Sequence, residues 1–188
     1  MSDLDSKLFE RIAKRLSEAP PSAEAGTPAL LTSTANRYGS KPEGQEPDEH
    51  PSFDPQAAAL FEATIEAAYL VANADGEFDA AEQQAFRQVV GTACGGAVPE
   101  RQLAAILADL EQQLADDGMD KRIQLVARTI ATPDHAREVL RVAALVAHIS
   151  QGVSDVERQV MQKLARELEL NETVLDQALR EVEVALKD

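Results

Sequence analysis

The stretch Ala68-Tyr69-Leu70-Val71-Ala72-Asn73-Ala74-Asp75-Gly76-Glu77-Phe78-Asp79-Ala80-Ala81-Glu82 decides the fold. It closes an apolar run, turns at a glycine, and opens a second segment on Asp79-x-x-Glu82, the spacing of a helix capping box. The expected elements are an apolar helix, a short turn and a second helix. The same order returns 75 residues later: Ala143-Ala144-Leu145-Val146-Ala147 falls on Ala68 to Ala72, and Ser154-Asp155-Val156-Glu157 on Asp79 to Glu82. Met161, Leu164 and Ala165 then fall on Phe86, Val89 and Val90. Two such hairpins can face each other and bury their stripes jointly, so the pattern predicts an all-α fold, a compact bundle of about seven helices built from two pseudo-symmetric helical hairpins.

Outward from this core the apolar period stays helical. A helix is expected over 57–73 with Leu60, Phe61, Ile65 and Leu70 inward, and another over 80–93 with Phe86, Val89 and Val90 inward. Gly91, Gly95 and Gly96 break the chain, and Pro99 suits the first turn of a helix carrying Leu103, Ile106, Leu107, Leu110 and Leu114. After Gly118 comes a helix with Ile123, Val126 and Ile130, with Asp120 as its expected cap. Thr132-Pro133 reads as an N-cap with proline at the first helical position. Two further helices start after Ser154 and Asn171, burying Val160, Met161, Leu164 and Leu168, then Val174, Leu175, Leu179, Val182 and Leu186.

Toward the N-terminus the composition changes. Seven of the nine prolines lie in the first 55 residues, amid Ser, Gly and Glu and without a sustained apolar period. Residues 20–55 are therefore expected to be a linker, with Ala29, Leu30, Leu31 and Tyr38 as docking points. Residues 1–19 read as a short amphipathic helix, with Leu4, Leu8, Ile12 and Leu16 on one face and Lys7, Arg11, Lys14 and Arg15 along a flank. Such a helix is marginal alone and needs something to dock on: a groove of the domain at 56–188, a partner protein or an anionic membrane surface.

The 188 residues carry 33 acidic and 18 basic side chains, a net charge of -15, which argues against nucleic acid and favours divalent cations or basic protein surfaces as partners. Apolar residues make up 44% and aromatics only 4%, enough for a core but one suited to helices. The single cysteine, Cys94, rules out an internal disulfide and suits a reducing compartment. No transmembrane segment is expected, since the most apolar stretch, 57–74, holds Glu62 and Glu66. With acids where a signal peptide would be basic, a cytoplasmic location is expected.

The turn between the first two hairpin helices carries the chemistry worth testing. Asp75, Glu77, Asp79 and Glu82 place four carboxylates in eight residues beside Gly76, and hard cations such as calcium take several oxygen ligands. With Gly76 at loop position six of an EF-hand, Asn73, Asp75, Asp79 and Glu82 fall on ligand positions, but Val71 stands where the opening aspartate belongs. Helix capping is the competing account. Asp79 with Glu82, and Ser154 with Glu157, are needed by helix geometry whether or not a metal binds, and Gly76 by the turn. Capping leaves Asp75 and Glu77 unexplained. In a pseudo-symmetric bundle Glu157 can approach the first turn as an additional ligand.

The Ala-Asp-Gly-Glu-Phe-Asp-x-x-Glu turn, its eroded second copy, and the following Leu164-Ala165-Arg166-Glu167-Leu168-Glu169-Leu170-Asn171-Glu172 together resemble the tellurite-resistance TerB-like family over about residues 55–188. The resemblance implies an all-helical cytoplasmic module of two pseudo-symmetric halves. It also implies divalent-cation binding at acidic turn residues, calcium among the candidates, and a scaffold role with protein partners in stress or envelope-associated complexes. Carried over by position, Asp75, Glu77, Asp79 and Glu82 are the ligands, with Glu157 the counterpart of Glu82. The second turn departs from the family pattern at Ser150, Gln151 and Ser154.

No enzyme is expected. Cys94 sits at a helix end without a base at a telling spacing; His50 falls in the linker, His135 in a first helical turn, and His148 at the end of an apolar helix. There is no Gly-rich phosphate loop. Asp116 and Asp117 read as solvated turn residues. The alternative to a cation-binding module is a metal-free helical adaptor that recruits a partner through its N-terminal helix.

Overall fold

Pro55 opens the longest apolar helix because its fixed φ and missing N–H suit a first turn, while Asp54 caps it by accepting from the amides of Gln56 and Ala57. The structure, a computed structural model, describes residues 3–20, 23, 27–39, 54–150 and 152–187, with side chains from Asp5 onward. The expected roles of Leu4, His50 and Gln151, and the 40–53 part of the expected linker, lie outside the described residues. Among the described residues there are nine α-helices and no strand: α1 (Asp3–Ser17), α2 (Leu30–Tyr38), α3 (Pro55–Ala72), α4 (Ala80–Ala93), α5 (Glu100–Asp117), α6 (Met119–Thr129), α7 (Pro133–Ala147), α8 (Asp155–Glu167) and α9 (Glu172–Lys187). A 3-10 turn at His148–Ser150 follows α7.

The two repeat helices α3 and α7 form the centre and make the most extensive helix–helix contact. Each is buried nearly all round, from Thr64 to Val71 in α3 and from Glu138 to Ala147 in α7. A helix apolar on every face has to be covered on every face. The remaining helices do this with one stripe each: Phe86, Val89 and Val90 of α4, Leu103, Ile106, Leu107 and Leu110 of α5, and Val160, Met161 and Leu164 of α8. The expected stripes are thus the buried ones, except that Leu114, Ile130, Val174 and Leu179 are only half-buried.

Two differences from the sequence expectation matter. The stretch expected as linker holds α2, whose Leu30, Leu31, Thr34, Ala35 and Tyr38 are buried. It packs mainly on α3, with the Tyr38 and Phe61 rings 4.9 Å apart. At nine residues, without a side-chain N-cap, it draws its stability from that docking rather than from its own sequence. Its exit needs Gly39, since a Cβ there would lie 1.9 Å from the carbonyl oxygen of Ala97. The second difference is at α6. Gly118 occupies its N-cap, and Asp120 pairs instead with Lys163 of α8 at 2.7 Å.

The amphipathic helix α1 lies on its own domain, against α4 and, less extensively, α7, α9, α2 and the 3-10 turn. Ile12 and Leu16 have no exposed surface, and Phe9 and Ala13 join them, so the buried stripe is wider than an i+4 row. Arg141 of α7 donates to the Arg15 and Glu18 carbonyls at 3.0 and 2.7 Å, satisfying oxygens that the end of α1 leaves orphaned. In return Arg11 and Arg15 donate to the Leu186 and Ala185 carbonyls of α9 at 2.7 and 3.2 Å.

Candidate functional site

Two turns, one from each hairpin, meet at one end of the bundle. The first connects α3 to α4 and holds Asp75, Glu77, Asp79 and Glu82; the second connects α7 to α8 and leads to Glu157. Gly76 makes the first turn with φ +83°, a conformation that side-chain-bearing residues rarely adopt. The Phe78 ring anchors it, edge-on to both Tyr69 and Phe86 at 5.5 and 5.9 Å. A small cleft lined by Ala72, Phe78, Glu82, Phe86, Val146 and Ile149 joins the two turns.

Hydrogen bonds account for four of the five candidate ligands. Asp75 Oδ1 accepts from the Glu77 amide at 3.0 Å, an Asx turn. Asp79 accepts from the Glu82 amide at 2.8 Å and Glu82 from the Asp79 amide at 3.0 Å, the complete capping box. Ser154 and Glu157 reproduce it: the Ser154 amide donates to Glu157 at 2.7 Å, and the Glu157 amide to the Ser154 hydroxyl at 3.2 Å. Asp75, Glu77 and Asp79 are exposed and Glu82 is half-buried, whereas Glu157 is only 7% exposed. Among the described residues, no three His, Cys, Asp or Glu side chains converge as a metal-binding group.

Asp75 and Glu157, in contrast, feel each other across the two turns. Burial pushes the Glu157 carboxyl above the ordinary carboxylate range, and the negative charge of Asp75 adds to the effect, opposed by the Ser154 hydrogen bonds and by His148. His148 is held with Nδ1 2.8 Å from the Ala144 carbonyl. The donor set therefore does not form a closed cage of six or more protein oxygens.

The other chemistry-bearing residues are set aside by their surroundings. Cys94 is buried, and burial alone pushes its thiol up to about 12, so it is no thiolate nucleophile near neutral pH. The His135 amide donates to the Thr132 hydroxyl in the helix cap. Asp117 accepts from Lys121 and Arg122, which hold its carboxyl below the usual range, and Asp116 accepts from Gln112. Sequence reasoning missed two ion pairs: Arg122 with buried Glu66 at 2.6 Å, and Arg141 with buried Glu138. The signals that could have found them are a charged residue inside an apolar helix run, as at Glu66 and Arg141, and for the second pair the i,i+3 spacing.

The fold and the paired turns define a pseudo-symmetric all-helical module with acidic residues on one of its turns. A family model described as Tellurite resistance protein TerB matches residues 61–181, well over half of the chain, and the chain belongs to that family. No curated protein and no solved structure matches it. Among the described residues no helix is long and apolar enough to cross a membrane.

Proposed function

We propose that the protein is a non-enzymatic TerB module of a stress-response system of the tellurite-resistance type, acting as a protein-interaction scaffold whose paired-turn end takes a divalent cation. Membership of the family supports the module. The observation that carries the cation is the acidic first turn, with Asp75, Glu77 and Asp79 exposed and Glu82 lining the small cleft that the turn shares with Ile149 and Ser150 of the second turn. Asp75, Glu77, Asp79 and Glu82 are its candidate ligands, with Glu157 approaching from the second turn as an additional one. Calcium and magnesium both suit such oxygens. The burial of Cys94, which pushes its thiol up to about 12, supports a binding role rather than nucleophilic catalysis.

Calorimetric titration of calcium and of magnesium into the full chain tests this, beside the Asp75→Ala, Glu77→Ala variant. Saturable binding lost in the variant supports the site. No binding to either protein leaves the second reading, a metal-free helical adaptor, which is favoured by the complete hydrogen bonding of both capping boxes. Recruitment through α1 then falls to its outward residues, such as Glu10 and Lys14, because the apolar face is spent on the bundle.

A further inference from the structure

An aspartate followed by glycine can react with its own main chain, because no Cβ shields the glycine amide. The amide nitrogen, giving up its proton, bonds to the carboxyl carbon of the aspartate. One carboxyl oxygen leaves as water, and a succinimide ring remains. Water then opens the ring at either carbonyl. One opening restores aspartate. The other leaves an isoaspartate, in which the chain runs through the former side chain with one more methylene and no change in mass. The sequence holds two such dipeptides, Asp75-Gly76 and Asp117-Gly118.

The two glycines are alike. Gly76 and Gly118 have φ +83° and +79°, with open space where a Cβ would stand. Each amide donates to one carbonyl, that of Asn73 at 3.1 Å and that of Leu114 at 2.9 Å. The carboxylates differ. Both oxygens of half-buried Asp117 are held by cations, Oδ1 by Lys121 at 2.6 Å and Oδ2 by Arg122 at 3.1 Å, and Arg122 is fixed in turn by Glu66. No ring closes there until these charge-assisted bonds break. Asp75 is exposed, its Oδ1 accepts from the Glu77 amide at 3.0 Å, and its Oδ2 has no hydrogen bond or ion pair among the described residues. That Asx turn folds the Asp75 carboxyl back over the Gly76 peptide, where the attacking nitrogen lies.

We infer that Asp75-Gly76 is a site of spontaneous isoaspartate formation in the folded protein, and that the ion pairs of Asp117 protect Asp117-Gly118 from the same reaction. The product at 75 loses the Asx turn, because the added methylene carries the carboxylate off the Glu77 amide. The first carboxylate of the acidic turn is then displaced, and the connection from α3 to α4 is longer by one backbone atom. The inference is independent of the cation and of the scaffold role.

Peptide mapping of the full chain, aged at physiological temperature and neutral pH with a metal chelator present, tests this. An isoaspartyl peptide separates from its aspartyl twin at equal mass, so each site is read by itself. Isoaspartate is expected to form at 75 faster than at 117 by about ten-fold or more, a factor that breaking one charge-assisted hydrogen bond is enough to supply. In urea, where the ion pairs and the Asx turn are both lost, the two rates are expected to converge. Equal rates in the folded protein, or a faster one at 117, overturn the inference. So does a folded chain that forms none at 75 while the unfolded chain does. The same ratio in urea as in the folded protein assigns the difference to neighbouring sequence and overturns it as well.

Discussion

Arg141 closes on Glu138 through two parallel hydrogen bonds, Nε to Oε2 at 2.9 Å and Nη2 to Oε1 at 2.8 Å, with both residues buried. The same guanidinium holds the last carbonyls of α1, so one carboxylate orients the group that fastens the N-terminal helix. Removing one partner of a buried pair leaves an uncompensated charge.

Glu138→Ala is therefore expected to destabilise the protein by about 3–5 kcal/mol, read as a lower urea midpoint. Glu138→Gln, which keeps an acceptor oxygen for Arg141, is expected to cost less. Equal losses in the two variants would show that packing, not charge, is what Glu138 supplies.

The capping boxes predict a smaller and matched pair of effects. Asp79→Ala and Ser154→Ala each remove the side chain that accepts from the third helical amide, and each is expected to cost about 1 kcal/mol. Urea unfolding with and without calcium separates the two roles of Asp79. A cation-dependent excess loss at Asp79 and none at Ser154 marks the first turn as a binding site.

Alkaline stability follows from Tyr38 and Cys94. Burial, with the charges of Glu62 and Asp109 and a hydrogen bond to Glu62, pushes the Tyr38 hydroxyl up to about 12, and burial does the same to the Cys94 thiol. The unfolded chain ionises first, near 9 for the thiol and 10 for the phenol, so the stabilisation is complete below those values and lost as pH rises toward about 12. Each such group contributes a slope of up to about 1.4 kcal/mol per pH unit inside its window. Tyr38→Phe is expected to flatten the unfolding profile above pH 10. An unchanged slope would place the tyrosine's ionisation elsewhere. Cys94 is likewise expected to resist thiol reagents until the protein unfolds.

Two backbone positions predict opposite signs. Gly39→Ala sets a Cβ against the Ala97 carbonyl and is expected to cost about 1–3 kcal/mol as α2 is pushed off α3. Glu169 ends α8 in the left-handed region at φ 58°, closed by hydrogen bonds from its own amide to Arg166 and from the Leu170 amide to Ala165. Glu169→Gly is expected to stabilise by about 1 kcal/mol, measured as a rise in melting temperature.

Most of the helices were legible because their causes are local. Periodic stripes such as Leu103–Ile106–Leu107–Leu110, the caps at Asp79, Thr132, Ser154 and Asn171, and the turn at Gly76 act within a few residues, and the structure has them where the sequence predicts. The helix α2 was not legible, since its evidence is the surface of α3 and not its own composition. For the candidate site, the sequence named the carboxylates and the capping boxes that hold three of them. The pseudo-symmetry of the repeat also brought Glu157 toward the first turn, and only its burial, which depends on the closed bundle, was beyond the sequence.

From residue order alone follow the helical class, the two-hairpin repeat, the acidic first turn and the family resemblance, because periodicity, capping and turn chemistry are short-range. Only the tertiary structure decided that α1 is seated between α4 and α7, that Arg141 holds it there by the Arg15 and Glu18 carbonyls, and that Glu66 meets Arg122. Those contacts join residues far apart in sequence, and their strength comes from burial, which depends on the whole bundle having closed around them.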